Sequence, residues 1–259
     1  MKQRIITAVI ALLALLLVLF VVPEPVALLV IVAVMIAGAW EWSAFLGFGA
    51  STGRLIYVAT IAALLAAVSF LSVDVTLILQ GAMLWWGMAL IWTFFFPTAI
   101  PLAVRWLAGA LVLVPLYLAL ILLYNAQPLT LLFALLIVWV ADSGAFFAGK
   151  TLGRVKLAPQ ISPGKTWEGV IGGLVAVVLL TLILSRWVDT DLAVLVPFCL
   201  AVACVSIVGD LTVSMFKRTA GVKDSGSLFP GHGGVLDRID SVAAAAPLFA
   251  LGLSWVGLQ

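Results

Sequence analysis

The chain has 259 residues, 65% of them hydrophobic and 9% charged, with a formal net charge of +2 and a mean hydropathy of +1.32. Soluble domains are about half apolar and about a quarter charged, so an ordinary soluble globule is excluded. Apolar runs near the bilayer-spanning length of roughly 20 residues recur along the chain. They are continuous rather than alternating, which excludes an outer-membrane barrel. The reading is an all-α, polytopic integral membrane protein, one domain over residues 1–259 with about nine transmembrane helices.

In chain order the expected spans are Ile5–Val22, Val26–Phe48, Leu55–Ser72, Val75–Phe96, Trp106–Tyr124, Leu129–Gly149, Trp167–Arg186, Leu192–Gly209 and Val242–Leu258. Pro23, Pro25, Pro97, Pro101 and Pro128 punctuate the short connections. The first run follows a basic start, but it is longer than the apolar core of a signal peptide, and no small-x-small cleavage site follows; it reads as a retained helix. The second span is the least regular, because Glu41 sits late in it.

Nine spans with the N-terminus inside place Lys2, Arg4, Arg54, Arg105, Lys150, Arg154, Lys156, Lys165, Lys217, Arg218, Lys223 and Arg238 on one side; of the thirteen Lys and Arg, only Arg186 falls near the other face. The positive-inside rule makes the first side cytoplasmic. Two longer connections face it: Lys150–Thr166, KTLGRVKLAPQISPGKT, and Lys217–Asp240, which contains KDSGSLFPGHGGVLDRID.

Ionisable groups inside a span cost about 2.5–3.5 kcal/mol on insertion scales and are functional candidates by default. Asp142, in VWVADSGAFFAG, lies about 12 Å short of the cytoplasmic end of its span at roughly 1.5 Å per residue. A helix–helix hydrogen bond is its structural alternative. Asp210 ends the next-to-last span, where helical pattern continues through Met215. Asp237 and Asp240, three apart, share a helical face. Asp240 has two open readings, a catalytic acid or the N-cap of the last span. Asp210 and Asp237 flank one loop, and hard carboxylate oxygens suit magnesium, which takes one or two carboxylates plus substrate phosphates.

Lys165, Lys217, Arg218, Lys223 and Arg238 surround these acids. The glycines of GHGG, Gly231 to Gly234, permit close backbone approach to an anion, and His232 sits among them as the chain's single histidine. SPGKT is not a P-loop, because Pro159 stands where the loop needs glycine, and GHGGVL fails the dinucleotide pattern at Leu236. Cys199 and Cys204 share one apolar run and read as small core hydrophobes. With one histidine and no activated serine or cysteine, a covalent triad is not indicated. The residues describe a magnesium and phosphate site at the cytoplasmic edge of a membrane core.

The segment Ser214–Asp240, SMFKRTAGVKDSGSLFPGHGGVLDRID, resembles the signature of the phosphatidate cytidylyltransferases, and ADSGAFFAGKTLGRVKLAPQISPGKTWEG resembles the same family's second conserved region. Length and span count also agree, with the catalytic part expected over about 129–259. The resemblance implies transfer of a cytidylyl group from CTP to phosphatidic acid, giving CDP-diacylglycerol and pyrophosphate in phospholipid biosynthesis. It implies Mg2+, with K+ associated with the same site, and a homodimer in the bacterial inner membrane, with no nucleic-acid partner. Carried over by motif, Asp210 and Asp237 are the metal-binding acids. Asp142, Ser162, Lys165, Thr166, Lys217, Arg218, Lys223, Asp224, His232, Gly233 and Arg238 surround nucleotide and lipid phosphate. The family's frequent Tyr is Phe146 here and its frequent Glu is Val213, so neither a hydroxyl nor a metal ligand is expected at those places. A secondary transporter using Asp142 and Asp210 as ion sites is the main rival, weakened by the gathering of polar groups at one face. A CDP-lipid phosphotransferase or a lipid-binding scaffold explains less of the acid–base density.

Overall fold

The structure, a computed structural model, describes residues 2–48, 51–187, 190–226, 228 and 233–255, with side chains from residue 9 onward. Among these residues there are nine α-helices: α1 (Lys2–Phe20), α2 (Glu24–Ser43), α3 (Ser51–Phe70), α4 (Val75–Phe94), α5 (Leu102–Ala126), α6 (Pro128–Leu152), α7 (Trp167–Leu184), α8 (Leu192–Thr219) and α9 (Leu236–Gly252). Seven, α2 to α8, are long and apolar enough to cross a membrane. α1 contributes the shorter apolar stretch Val9–Phe20, and α9 has 17 residues with charge in its first turns.

The starts of these helices follow local chemistry. Pro23 precedes α2, Pro101 precedes α5 and Pro128 opens α6, positions where a missing N–H costs nothing. Asp74 caps α4 by accepting from the Leu77 N–H at 3.2 Å, and Asp191 caps α8 by accepting from the Ala193 N–H at 2.9 Å.

α5 and α9 form the centre of the bundle. α9 carries Ala243–Ala246, all at 0–1% exposure, and packs against α4, α5, α6 and α8. Small residues let helix backbones approach closely where lipid offers no hydrophobic drive to associate. The α6–α7 pair uses the same device. A Cβ at Gly172 would overlap Ala148, and one at Gly173 would lie 2.6 Å from the Ala141 carbonyl oxygen. Large apolar side chains on the outer helices, such as Leu13, Phe70, Leu84 and Leu179, face outward as a lipid-facing surface does.

Three differences from expectation bear on the site. α8 continues ten residues past Gly209, to Thr219, so Asp210 lies within a helix. α9 begins at Leu236 rather than Val242, with Val235 at its N-cap position, so Asp240 is in its second turn and is not its cap. The connection after α6 is not simply a loop. β1 (Lys156–Ala158) and β2 (Ser162–Thr166) pair antiparallel, with Lys156 opposite Thr166 and Ala158 opposite Ser162. Its apolar tip residue Ile161 is buried, which anchors so short a hairpin against the bundle.

Candidate active site

A cavity of about 680 Å³ opens between α6, the hairpin, α7, α8 and the start of α9. Five aspartates line it, Asp142, Asp210, Asp224, Asp237 and Asp240, together with Lys150, Lys165, Lys217 and Arg238. Most of the acids and bases singled out in the sequence therefore meet in one space, although up to about a hundred residues separate them.

Each side chain arrives on a specific element. β2 delivers Lys165, whose Nζ lies 2.6 Å from Asp210 Oδ2. Thr166 follows and caps α7, its Oγ1 accepting from the Gly169 N–H at 3.1 Å. Gly149 and Gly169 lie against this hydroxyl, where larger residues would push the hairpin away. Glu168 holds the strand entry by accepting from the Val155 N–H at 3.1 Å. Arg218 braces the hairpin from α8, its Nε donating to the Ile161 carbonyl at 3.0 Å. Arg218 thus positions Lys165 and is not among the cavity's lining residues.

α8 carries Asp210 and, two turns on, Lys217. Ser214 donates to Asp210 Oδ1 at 3.1 Å. Lys217 is buried, with its Nζ 2.6 Å from Asp237 Oδ1 and 3.8 Å from Asp240 Oδ2. α8 and α9 touch at Gly209, where a Cβ would overlap the Asp240 carbonyl oxygen. That contact sets Asp210 and Asp240 side by side.

Asp237 is held differently. Its Oδ2 accepts from the Ser225 N–H at 2.9 Å, the Ser225 hydroxyl at 2.9 Å and the Gly234 N–H at 3.0 Å. Gly233, at φ +78°, turns the chain into this arrangement, and a Cβ there would sit 2.5 Å from Asp237 Oδ2. One oxygen of Asp237 is consumed by the loop, and the other is paired with Lys217.

The remaining sequence candidates separate. Ser162 is half-buried on β2 and Lys223 is exposed; neither lines the cavity. Phe146 lies at the rim beside Lys150, and Val213 is fully buried in apolar packing. His232 lies outside the described residues.

Sequence reasoning missed Glu41. It is buried near the end of α2, and its carboxylate accepts from the Ser225 hydroxyl at 2.8 Å, the Val235 N–H at 2.9 Å and the Leu236 N–H at 2.8 Å. The signal was present, since a carboxylate within a span is a functional candidate by default. On sequence alone it registers only as an irregularity of the span.

The Cytidylyltransferase family matches residues 2–256 of the chain. A phosphatidate cytidylyltransferase of Pseudomonas aeruginosa is 43% identical over 98% of this chain and 97% of the relative. One from Haemophilus influenzae is 37% identical over 96% of this chain and 97% of its own. A Staphylococcus saprophyticus phosphatidate cytidylyltransferase is 45% identical over 120 residues, 46% of each chain. Since the match takes in the site's carboxylates and the scaffold that brings them together, the chain belongs to the cytidylyltransferase family.

Proposed function

We propose that the protein transfers the cytidylyl group of CTP to phosphatidic acid at the membrane surface, releasing pyrophosphate and giving CDP-diacylglycerol. The observation that carries the reading is the single cavity in which Asp142, Asp210 and Asp240 meet Lys165 and Lys217 inside a bundle of apolar helices. It suits a substrate whose phosphate must reach a polar site while its acyl chains stay in lipid.

The lipid phosphate is the nucleophile. One of its anionic oxygens forms a bond to the α-phosphorus of CTP, and the bond from that phosphorus to the oxygen bridging to the β-phosphate breaks. Pyrophosphate leaves with that electron pair, so no protein nucleophile is required. Catalysis of such a transfer rests on positioning and charge stabilisation. Lys165 and Lys217 supply cationic N–H donors, each already paired with a carboxylate. Incoming phosphate oxygens take over part of that pairing and offset the repulsion between two anionic substrates.

The acids fit a magnesium ion. Asp210 and Asp237 both line the cavity, and a lysine ammonium stands 2.6 Å from each, where a cation belongs. We assign the ion to Asp210 and Asp237, with Asp240 and Asp142 nearby; Asp237 meets it through Oδ1, the oxygen paired with Lys217, while its Oδ2 holds the loop. When bound, magnesium neutralises triphosphate charge and polarises the α-phosphoryl group. The monovalent potassium ion belongs beside the same carboxylates.

The site faces the cytoplasm of a bacterial inner membrane in this reading. Arg54 stacks on Trp40 at 5.6 Å and Arg105 donates to the Phe45 carbonyl at 2.8 Å, so both lie at the end of α2 that carries Glu41. Lys150, Lys165, Lys217 and Arg238 line the cavity at that same end. Such a basic excess marks the inside face. A homodimer is part of the same proposal.

Purified protein incubated with labelled CTP, phosphatidic acid and magnesium should give a lipid-soluble cytidine product and equimolar pyrophosphate. CTP left unconsumed, or consumed without a cytidine-bearing lipid, refutes the assignment.

A further inference from the structure

We propose that Glu41, on α2, is a positioning residue for the active site, acting through Ser225 and through Val235 and Leu236 at the start of α9; the catalytic half of this inference rests on the cytidylyltransferase reading. α9 carries Asp237, Arg238 and Asp240 in its first turns, so the placement of its N-terminus sets where those groups stand. A helix N-terminus leaves N–H groups without intrahelical partners and carries partial positive charge. Here no side chain of the N-cap residue, Val235, meets that need. A carboxylate from a helix almost two hundred residues away does.

The fit is close. Glu41 Oε1 accepts from the Val235 N–H at 2.9 Å, and Oε2 accepts from the Leu236 N–H and the Ser225 hydroxyl, both at 2.8 Å. That hydroxyl also lies 2.9 Å from Asp237 Oδ2, so it stands between the two carboxylates with one proton to give to either. A Cβ at Gly226 or Gly234 would overlap the Glu41 carboxylate, so the loop's glycines leave the space it fills. Both sides of the contact are built for each other. Asp237 secures the loop from within, and Glu41 secures the same loop to the rest of the bundle.

Glutamine at position 41 keeps the volume but can fill only one acceptor position. With its oxygen at the Oε2 position, its NH2 group faces the Val235 N–H, donor against donor. Ser225→Ala removes only the bridging hydroxyl. Glu24→Gln, at the exposed far end of α2, serves as the control.

The experiment measures backbone hydrogen exchange over residues 221–236 in lipid nanodiscs, and steady-state kinetics with CTP and phosphatidic acid, for wild type, Glu41→Gln, Ser225→Ala, the double variant and Glu24→Gln. Glu41→Gln should speed exchange in that segment and lower kcat by roughly ten- to hundredfold, the factor of a charge-assisted hydrogen bond, with KM for CTP changing less. Losses in the double variant should not add, because both substitutions open one bridge. Unchanged exchange, unchanged kcat, or additive losses in kcat overturns the proposal. Should Glu41→Gln fail to fold, Ser225→Ala alone decides by the same two readouts. Faster exchange in protein whose wild type makes no lipid-linked cytidine supports the clamp and refutes the activity, which separates the two claims.

Discussion

Lys217 gives the most direct test of how the site is held together. Its ammonium lies 2.6 Å from Asp237 Oδ1 and 3.8 Å from Asp240 Oδ2, and its side chain and that of Asp237 are each 9% exposed. Lys217→Met keeps the aliphatic stem and removes the charge. Two nearby carboxylates are then left without their shared cation. Removing one partner of a buried pair costs about 3–5 kcal/mol, chiefly through the uncompensated charge that remains. Adding Asp237→Asn should restore part of this, about 1–3 kcal/mol, by removing one of the stranded charges. Asparagine can keep an oxygen at the Oδ2 position for the Ser225 and Gly234 donors, so the loop is retained. Unfolding in detergent, followed by tryptophan fluorescence from the ten Trp residues, measures both variants. Lys217→Met within about 0.5 kcal/mol of wild type, the range of an ordinary surface substitution, refutes the buried-pair reasoning. So does Asp237→Asn lowering stability further in the Lys217→Met background.

Asp210→Asn and Asp237→Asn should each lower kcat by about a thousandfold, several kcal/mol at about 1.36 kcal/mol per decade, with excess magnesium recovering part of the loss and Asp240→Asn costing less; radiolabelled CTP turnover in folded variants checks this. Lys165→Ala, which empties a cavity position beside Asp210, should impair CTP use more than Lys223→Ala, which changes an exposed side chain, and kcat/KM for the two variants decides. Gly209→Val should separate α8 from α9 at the Asp240 carbonyl, lowering thermal stability and activity together; a stable variant with normal turnover would show that the close contact is dispensable. Single cysteines at Thr151 and Ala220, in a background lacking Cys199 and Cys204, should label only from the cytoplasmic face of oriented vesicles, and labelling of either from outside contradicts the topology.

The sequence by itself determined the solvent, the helix content and much of the chemistry. A mean hydropathy of +1.32 with 9% charge leaves lipid as the surroundings, and in lipid continuous apolar runs must be helices because their backbone groups have no water to bond. Charge in such a chain costs free energy wherever it is buried, so the acids and bases that remain mark the site, and Asp142, Lys165, Asp210, Lys217 and Asp237 were all visible on that ground. The residue motifs suggested the family, and the family match agrees with them. Tertiary structure decided what each group does. Asp240, open on sequence between a cap and a catalytic acid, lies in the second turn of α9 and does not cap it, and Asp237 gives one oxygen to Ser225 and Gly234 and the other to Lys217. Arg218 looked like a phosphate contact until its guanidinium was seen to hold the hairpin. Glu41 looked like an irregularity in a span, because its partners lie almost two hundred residues along the chain. Local pattern reports hydrophobic periodicity and turn chemistry within a few residues. A hydrogen bond between α2 and the start of α9 depends on how the whole bundle packs, and no local pattern records it.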